Sequence, residues 1–115
     1  MPIDQPPAII CEAPRAIDGD TIRCANLPTS VRLIGIDAPE LPGHCRKGRI
    51  CTPGDGFAAQ RTLAALMRGT VLVLPSPSHD RYGRILARLV VAGVDLNCAM
   101  IGAGQAARRY SVLVC

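Results

Sequence analysis

Three short stretches hold the residues best suited to chemistry. Asp18-Gly19-Asp20-Thr21 sets two carboxylates around a glycine, a combination that by itself is usually only a turn. Arg32-Leu33-Ile34-Gly35-Ile36-Asp37-Ala38-Pro39-Glu40 places an arginine in an apolar run that ends in two acids around a proline. Asp80-Arg81-Tyr82-Gly83-Arg84 is a charged turn leading into another apolar run. Each is ordinary alone. Together they supply what phosphodiester hydrolysis needs. Asp20 and Asp37, on separate strands, offer the oxygen ligands a hard cation prefers. Glu40 is placed to orient or deprotonate water. Arg32 and Arg84 can grip a phosphate and stabilise the charge added in its transition state. Guanidinium does not give up its proton, so both are clamps rather than acids.

The elements that must position these residues follow from pattern and punctuation. Residues 8–11, after two prolines, predict a first strand. Asp18-Gly19 predicts a hairpin turn, and Thr21-Ile22-Arg23-Cys24 the return strand. Residues 30–36 predict a third strand, with Val31 and Leu33 on one face and Arg32, Ile34 and Ile36 on the other. Pro39 and Pro42 end it. Residues 41–56 are rich in glycine and proline and predict a long loop, of a length that usually signals function or mobility. Ala59, Leu63, Leu66 and Met67 share one face of a helix over residues 56–68, with Asp55 as its cap and Gly69 at its exit. Residues 70–74 read as a fourth strand, 75–80 as a second loop and 85–91 as a fifth strand. Asp95 caps a second helix in which Leu96, Ala99, Met100 and Ala103 share a face, ending at Gly104. The order β-β-β-α-β-β-α predicts an α+β fold, a five-stranded OB-type β-barrel with helices. It makes one domain of residues 8–115, preceded by a loose segment over 1–7.

At 49% apolar and 19% charged residues, the 115-residue chain is not a disordered or tail-like protein. No apolar run approaches the ~18 residues of a membrane span, so a soluble chain with no membrane partner is expected. Residues 1–7 have neither the basic nor the apolar region of an export signal. The net charge of +4 conceals an asymmetry: residues 1–40 carry −3 and residues 41–115 carry +7. Of the 13 bases only Lys47 is not arginine, a bias that suits an anionic partner, although an arginine-favouring genome yields the same bias. With two tyrosines, one phenylalanine and no tryptophan, an extended base-stacking platform for single strands is not expected. Six cysteines form a disulfide framework if the compartment is oxidising. Zinc is a poor rival, because no C-x2-C pair occurs, while buried free thiols stay open for Cys24 and Cys98.

Taken in order, Ile17-Asp18-Gly19-Asp20-Thr21, Val31-Arg32-Leu33 with Asp37-Ala38-Pro39-Glu40, and Asp80-Arg81-Tyr82-Gly83-Arg84-Ile85-Leu86-Ala87 resemble the staphylococcal (micrococcal) nuclease family. Gly93-Val94-Asp95-Leu96-Asn97 and Gly104-Gln105-Ala106 extend the resemblance over about residues 11–110. The resemblance implies a modified OB barrel and a calcium-dependent endonuclease acting on DNA and RNA, which cleaves the P–O5′ bond and leaves 3′-phosphate ends. By matching position, Asp20 and Asp37 are calcium ligands and Ala38 ligates through its carbonyl. Glu40 is the general base, and Arg32 and Arg84 clamp the phosphate. Arg81 and Tyr82 meet the terminal phosphate, and Tyr110 lies near the base. Val112 stands where the family has a second tyrosine. No obligate protein partner is implied, and an exported location is favoured by the six cysteines.

Two departures bear on the site. The loop with Cys45 and Cys51 differs from the family's, and those cysteines bracket Arg46-Lys47-Gly48-Arg49-Ile50, so a bridge ordering the loop beside Glu40 is expected. Cys11 and Cys24, flanking the Asp18-Gly19 turn, are the second expected pair. The sequence stops at Cys115, where the family usually continues into a third helix, so modest stability or compensation by bridges or self-association is expected. A rival from another class is a non-catalytic nucleic-acid-binding module, which has no reason to keep both arginines and all three acids. A disulfide-stapled structural domain explains the cysteines but not those acids.

Overall fold

The computed structural model describes residues 6–115. Of the loose segment expected over residues 1–7, residues 1–5 lie outside it. The strands of the main sheet are β1 (Ile9–Ile10), β2 (Arg15–Ala16), β3 (Thr21–Arg23), β4 (Val31–Leu33), β6 (Val71–His79) and β7 (Ile85–Val91). They run in the order β1-β6-β7-β4-β3-β2. Both ends of this path belong to one bent stretch, residues 9–16, so the sheet curls until its two edges meet the same segment. Counted as one bent strand, that stretch brings the total to the five of an OB-type barrel. Neighbours are antiparallel except β4 and β7, a parallel pair that aligns Arg32 with Leu86. The Arg32 strand thereby lies beside the strand that the Asp80–Arg84 turn feeds.

Period-two burial explains the strands: Val71 and Val73 of β6 and Ala87, Leu89 and Val91 of β7 all face inward. Helix α1 (Gly56–Leu66) closes one side of the core with Ala59 and Leu63, four apart, and α2 (Leu96–Gly102) contributes Leu96 and Met100. Both helices start where a side chain satisfies orphan N–H groups. Asp55 accepts from Phe57 and Ala58 at 3.0 and 3.1 Å, and Asp95 from Cys98 at 3.0 Å. Asn97 is wholly buried yet fully satisfied: it accepts from Leu89 N–H and donates to the carbonyls of Ile34 and Ala87. It locks α2 onto β7 and onto Ile34, the residue that follows β4 shortly before the acids.

The expected elements are corrected in four places. The strand over 30–36 breaks at Ile34-Gly35, because Gly35 takes a left-handed φ of 76°. The chain then resumes as β5 (Ile36–Asp37), which pairs with a late strand, β9 (Ala107–Arg108). The partner of β3 is Arg15–Ala16 rather than residues 8–11, which pair with β6 instead. The expected loop over 75–80 is largely strand, since β6 continues to His79 with a register irregularity after Pro75. A short β8 (Val94–Asp95) also pairs with β7 ahead of α2.

All six cysteines are bridged, Cys11–Cys24, Cys45–Cys51 and Cys98–Cys115, so Cys24 and Cys98 are not free thiols. The first bridge joins the bent strand to the end of β3, and the third ties Cys115 back to α2. No helix among the described residues is long and apolar enough to cross a membrane.

Candidate functional site

The Asp18-Gly19 turn is positioned from below by α1. Gln60 donates through its amide to the carbonyls of Ala16 and Ile17 at 3.2 and 3.1 Å. Asp18 accepts the N–H of Asp20 at 3.1 Å, tightening the turn. A Cβ at Gly19 would sit 2.6 Å from that of Ala59 and 2.7 Å from that of Ala38, so only glycine lets the turn nest between helix and site. Gly19→Ala is therefore expected to destabilise by about 1–3 kcal/mol through overpacking, read as a lowered thermal midpoint. An unchanged midpoint would show that the nest is looser than these distances.

The turn delivers Asp20 into a buried charge cluster. Its carboxylate accepts the N–H of Ala38 at 2.9 Å and the hydroxyl of Thr21 at 3.0 Å, and pairs with Arg32 Nη2 at 3.3 Å. The same nitrogen lies 3.2 Å from Asp37 Oδ1, so both carboxylates converge on one atom. Arg32 is itself buried and donates to its neighbour's carbonyl at 2.8 Å. Burial pushes the Asp20 carboxyl up to about 7, with Arg32 pulling it down and Asp18 adding to the rise.

Asp37, wholly buried, is saturated: Oδ1 faces Arg32 and Arg49 Nη2 (3.0 Å), while Oδ2 accepts from Thr52 (2.7 Å) and Arg109 (3.1 Å). Glu40 lies on the loop that follows, its backbone pressed against Gly56 so closely that no side chain fits there. Its Oε1 accepts from Arg49 Nη1 at 2.7 Å. Arg49 also donates to the Tyr110 hydroxyl at 3.0 Å, and Tyr110 adopts a left-handed φ of 74°, a backbone conformation that is costly for an aromatic residue. Of the residues expected at the site, the structure brings Asp20, Arg32, Asp37, Ala38, Glu40 and Tyr110 together, and it adds Arg49, Thr52 and Arg109, which the sequence does not single out. The basic turn between Cys45 and Cys51, and the arginine next to Tyr110, were the available signals.

Arg84 belongs to a second cluster, and no hydrogen bond or ion pair joins it to the three acids among the described residues. It is fixed by Asp80, which accepts its Nε at 2.6 Å and its backbone N–H at 2.8 Å. Burial works against Asp80, but these bonds and that charge hold its carboxyl below the usual carboxylate range. Arg46, Arg81 and Arg84 all lie over the exposed ring of Tyr82, at 5.0, 5.1 and 5.4 Å. Arg81 and Arg46 also donate to its hydroxyl at 2.8 and 2.9 Å, and Arg81 foremost lowers the phenol's proton affinity. Three guanidinium groups around one aromatic ring form an anion-attracting wall.

A hard cation at the first cluster would need the oxygens of Asp20, Asp37 and the Ala38 carbonyl. The donor chemistry fits, since two carboxylates flank a single point. Guanidinium nitrogens lie on the carboxylate oxygens, however, and no three acids, histidines or cysteines converge among the described residues. Three carboxylates, Asp20, Asp37 and Glu40, are matched by three arginines, Arg32, Arg49 and Arg109.

Compared with known families, residues 30–113 match the model of the staphylococcal nuclease homologue, well over half of the chain. The chain belongs to the staphylococcal nuclease homologue family. No curated protein matches it. Membership carries the OB-type fold and a nuclease or nucleic-acid-binding role. The matched segment of this family member contains both arginine clusters and the acids from Asp37 onward, and Asp20 enters through its bonds to Ala38 and Arg32. The three disulfides of this family member fit an oxidising compartment.

Proposed function

We propose that the chain is a calcium-dependent endonuclease that hydrolyses DNA and RNA at the P–O5′ bond and leaves 3′-phosphate ends. The observation that supports this best is the convergence of Asp20 and Asp37 on one point, with Glu40 sharing Arg49 with Asp37. The ligands would be Asp20, Asp37 and the Ala38 carbonyl. Bound calcium would supply Lewis-acid stabilisation of a phosphoryl oxygen. Glu40 takes the proton of the attacking water. Arg32 and Arg84 neutralise phosphoryl oxygens, so the protein contributes positioning and electrostatics rather than covalent chemistry. Arg81 and Tyr82 receive a neighbouring phosphate, and Tyr110 lies beside the base. Export to a periplasmic or extracellular location accords with the disulfides.

The match of three carboxylates to three arginines favours a second reading, a binding module in which the acids never release their guanidinium partners. Incubating plasmid DNA and RNA with the protein, in calcium and in excess chelator, separates the two. Cleavage in calcium alone is expected, with magnesium a poor substitute because it demands octahedral geometry and sheds water reluctantly. Asp20→Asn should need more calcium and recover part of its activity when given it. Full activity in chelator ends the calcium reading; retained binding without cleavage at any calcium concentration establishes the module.

A further inference from the structure

The segment between Cys45 and Cys51 is exposed, yet its arginines are not free. Arg46 reaches the hydroxyl of Tyr82 at 2.9 Å, and Arg49 reaches Asp37, Glu40 and Tyr110 at 3.0, 2.7 and 3.0 Å. The Ile50 carbonyl accepts from Arg109 at 2.8 Å. One bridged turn is thus stitched to both charge clusters, and its Arg49 side chain remains about one-third exposed (34%). Arg32, in contrast, is buried and shared by Asp20 and Asp37. Of the arginines on the acids, Arg49 is the one that touches both Asp37 and Glu40.

We propose that Arg49 is a resident counter-cation of the Asp37–Glu40 pair, held in place by the Cys45–Cys51 turn, which competes with a divalent cation at Asp37. The proposal rests on the reading that the acids take up calcium. Asp37 Oδ1 already holds Arg32 and Arg49 Nη2, at 3.2 and 3.0 Å, so a divalent cation reaches it only as a guanidinium withdraws, and Arg49, the more exposed of the two, is the one whose release is linked to calcium entry. Release also frees the Glu40 oxygen to accept a proton from water. Arg49 is then a positioning residue. It keeps the acids charge-balanced until cation and phosphate arrive together.

The test is calorimetric titration of the full chain with calcium alone, without nucleic acid. Arg49→Gln removes the competing charge and is expected to tighten calcium about tenfold. Arg68→Gln, an exposed arginine outside both clusters, removes the same net charge and should change affinity less than about twofold, as a distant screened charge does. Arg49→Lys should return affinity to near the parental value. The double variant Cys45→Ser/Cys51→Ser, which frees the turn while keeping Arg49, should shift in the same direction as Arg49→Gln but less. Calcium binding by Arg49→Gln where the parent shows none supports the proposal in its strongest form. If parent and Arg49→Gln bind equally, or if Arg68→Gln matches Arg49→Gln, the counter-cation idea falls while the calcium reading stands. If no variant binds calcium, both fall.

Discussion

Glu40→Gln is expected to cut plasmid and RNA about 10²–10⁴ more slowly than the parent, the usual range for loss of a positioned general base. The substitution keeps shape and one acceptor oxygen, so the Arg49 contact made by Oε1 at 2.7 Å can persist. Gly56 still seats the backbone of residue 40 against α1, and fold stability should change by less than about 1 kcal/mol, as for a partly exposed ion pair. Calcium and nucleotide should still bind, because the carboxylates that flank one point are those of Asp20 and Asp37. Single-turnover cleavage at saturating calcium, beside equilibrium binding of an uncleaved oligonucleotide, separates a lost base from a lost site. A Glu40→Gln protein that cuts at the parental rate would exclude Glu40 as the base.

Much of this arrangement was legible because local rules and global packing agree. Asp55 and Asp95 sit directly before apolar stretches of helical period, and both helices begin there. Val31, Leu33, Leu89 and Val91 alternate as strands must, and each is buried. The acids were legible as a set because a glycine turn and a strand end are where side chains emerge from a barrel toward one another. Some of the misreadings depended on a partner distant in sequence, whereas the short β8 pairs with its immediate neighbour β7. Pro75 and Pro77 argued for a loop, yet the pairing of β1 with β6 stops at Val73, leaving an edge on which proline is tolerated. Ile36–Asp37 is a separate strand only because Ala107–Arg108 returns to pair with it. Arg49 and Arg109 reach the acids from loops 12 and 72 residues away along the chain, and no periodicity encodes such a reach. The Cys98–Cys115 bridge was equally hidden, since spacing alone leaves cysteine connectivity open.

The two arginines proposed as phosphate clamps should fail in different ways when removed, because the fold uses them differently. Arg84 is about one-third exposed (31%), and its main tie is to Asp80. In Arg84→Ala the carboxylate of Asp80 keeps the backbone N–H groups of residues 82 and 84, so stability should fall by less than about 1 kcal/mol. Activity should still drop about 10²–10³, the usual effect of deleting one donor to a transition-state oxygen. Arg32 has a structural duty as well. Its Nη2 is the point on which Asp20 and Asp37 converge, both of them buried, and Arg32→Ala leaves Asp20 without its cation. Breaking a buried pair in this way typically destabilises by about 3–5 kcal/mol. Asp37 retains Arg49 and Arg109, which places the expected loss at the lower end of that range. Calcium should recover part of the lost stability of Arg32→Ala, since a cation can take the place vacated between the carboxylates, whereas no such recovery is expected for Arg84→Ala. Thermal melts of both variants with and without calcium, paired with cleavage rates measured below the lower midpoint, decide the matter. An Arg32→Ala protein as stable as the parent without calcium would mean that Asp20 does not depend on Arg32 for its charge balance, and an Arg84→Ala protein that cuts at the parental rate would remove Arg84 from the clamp.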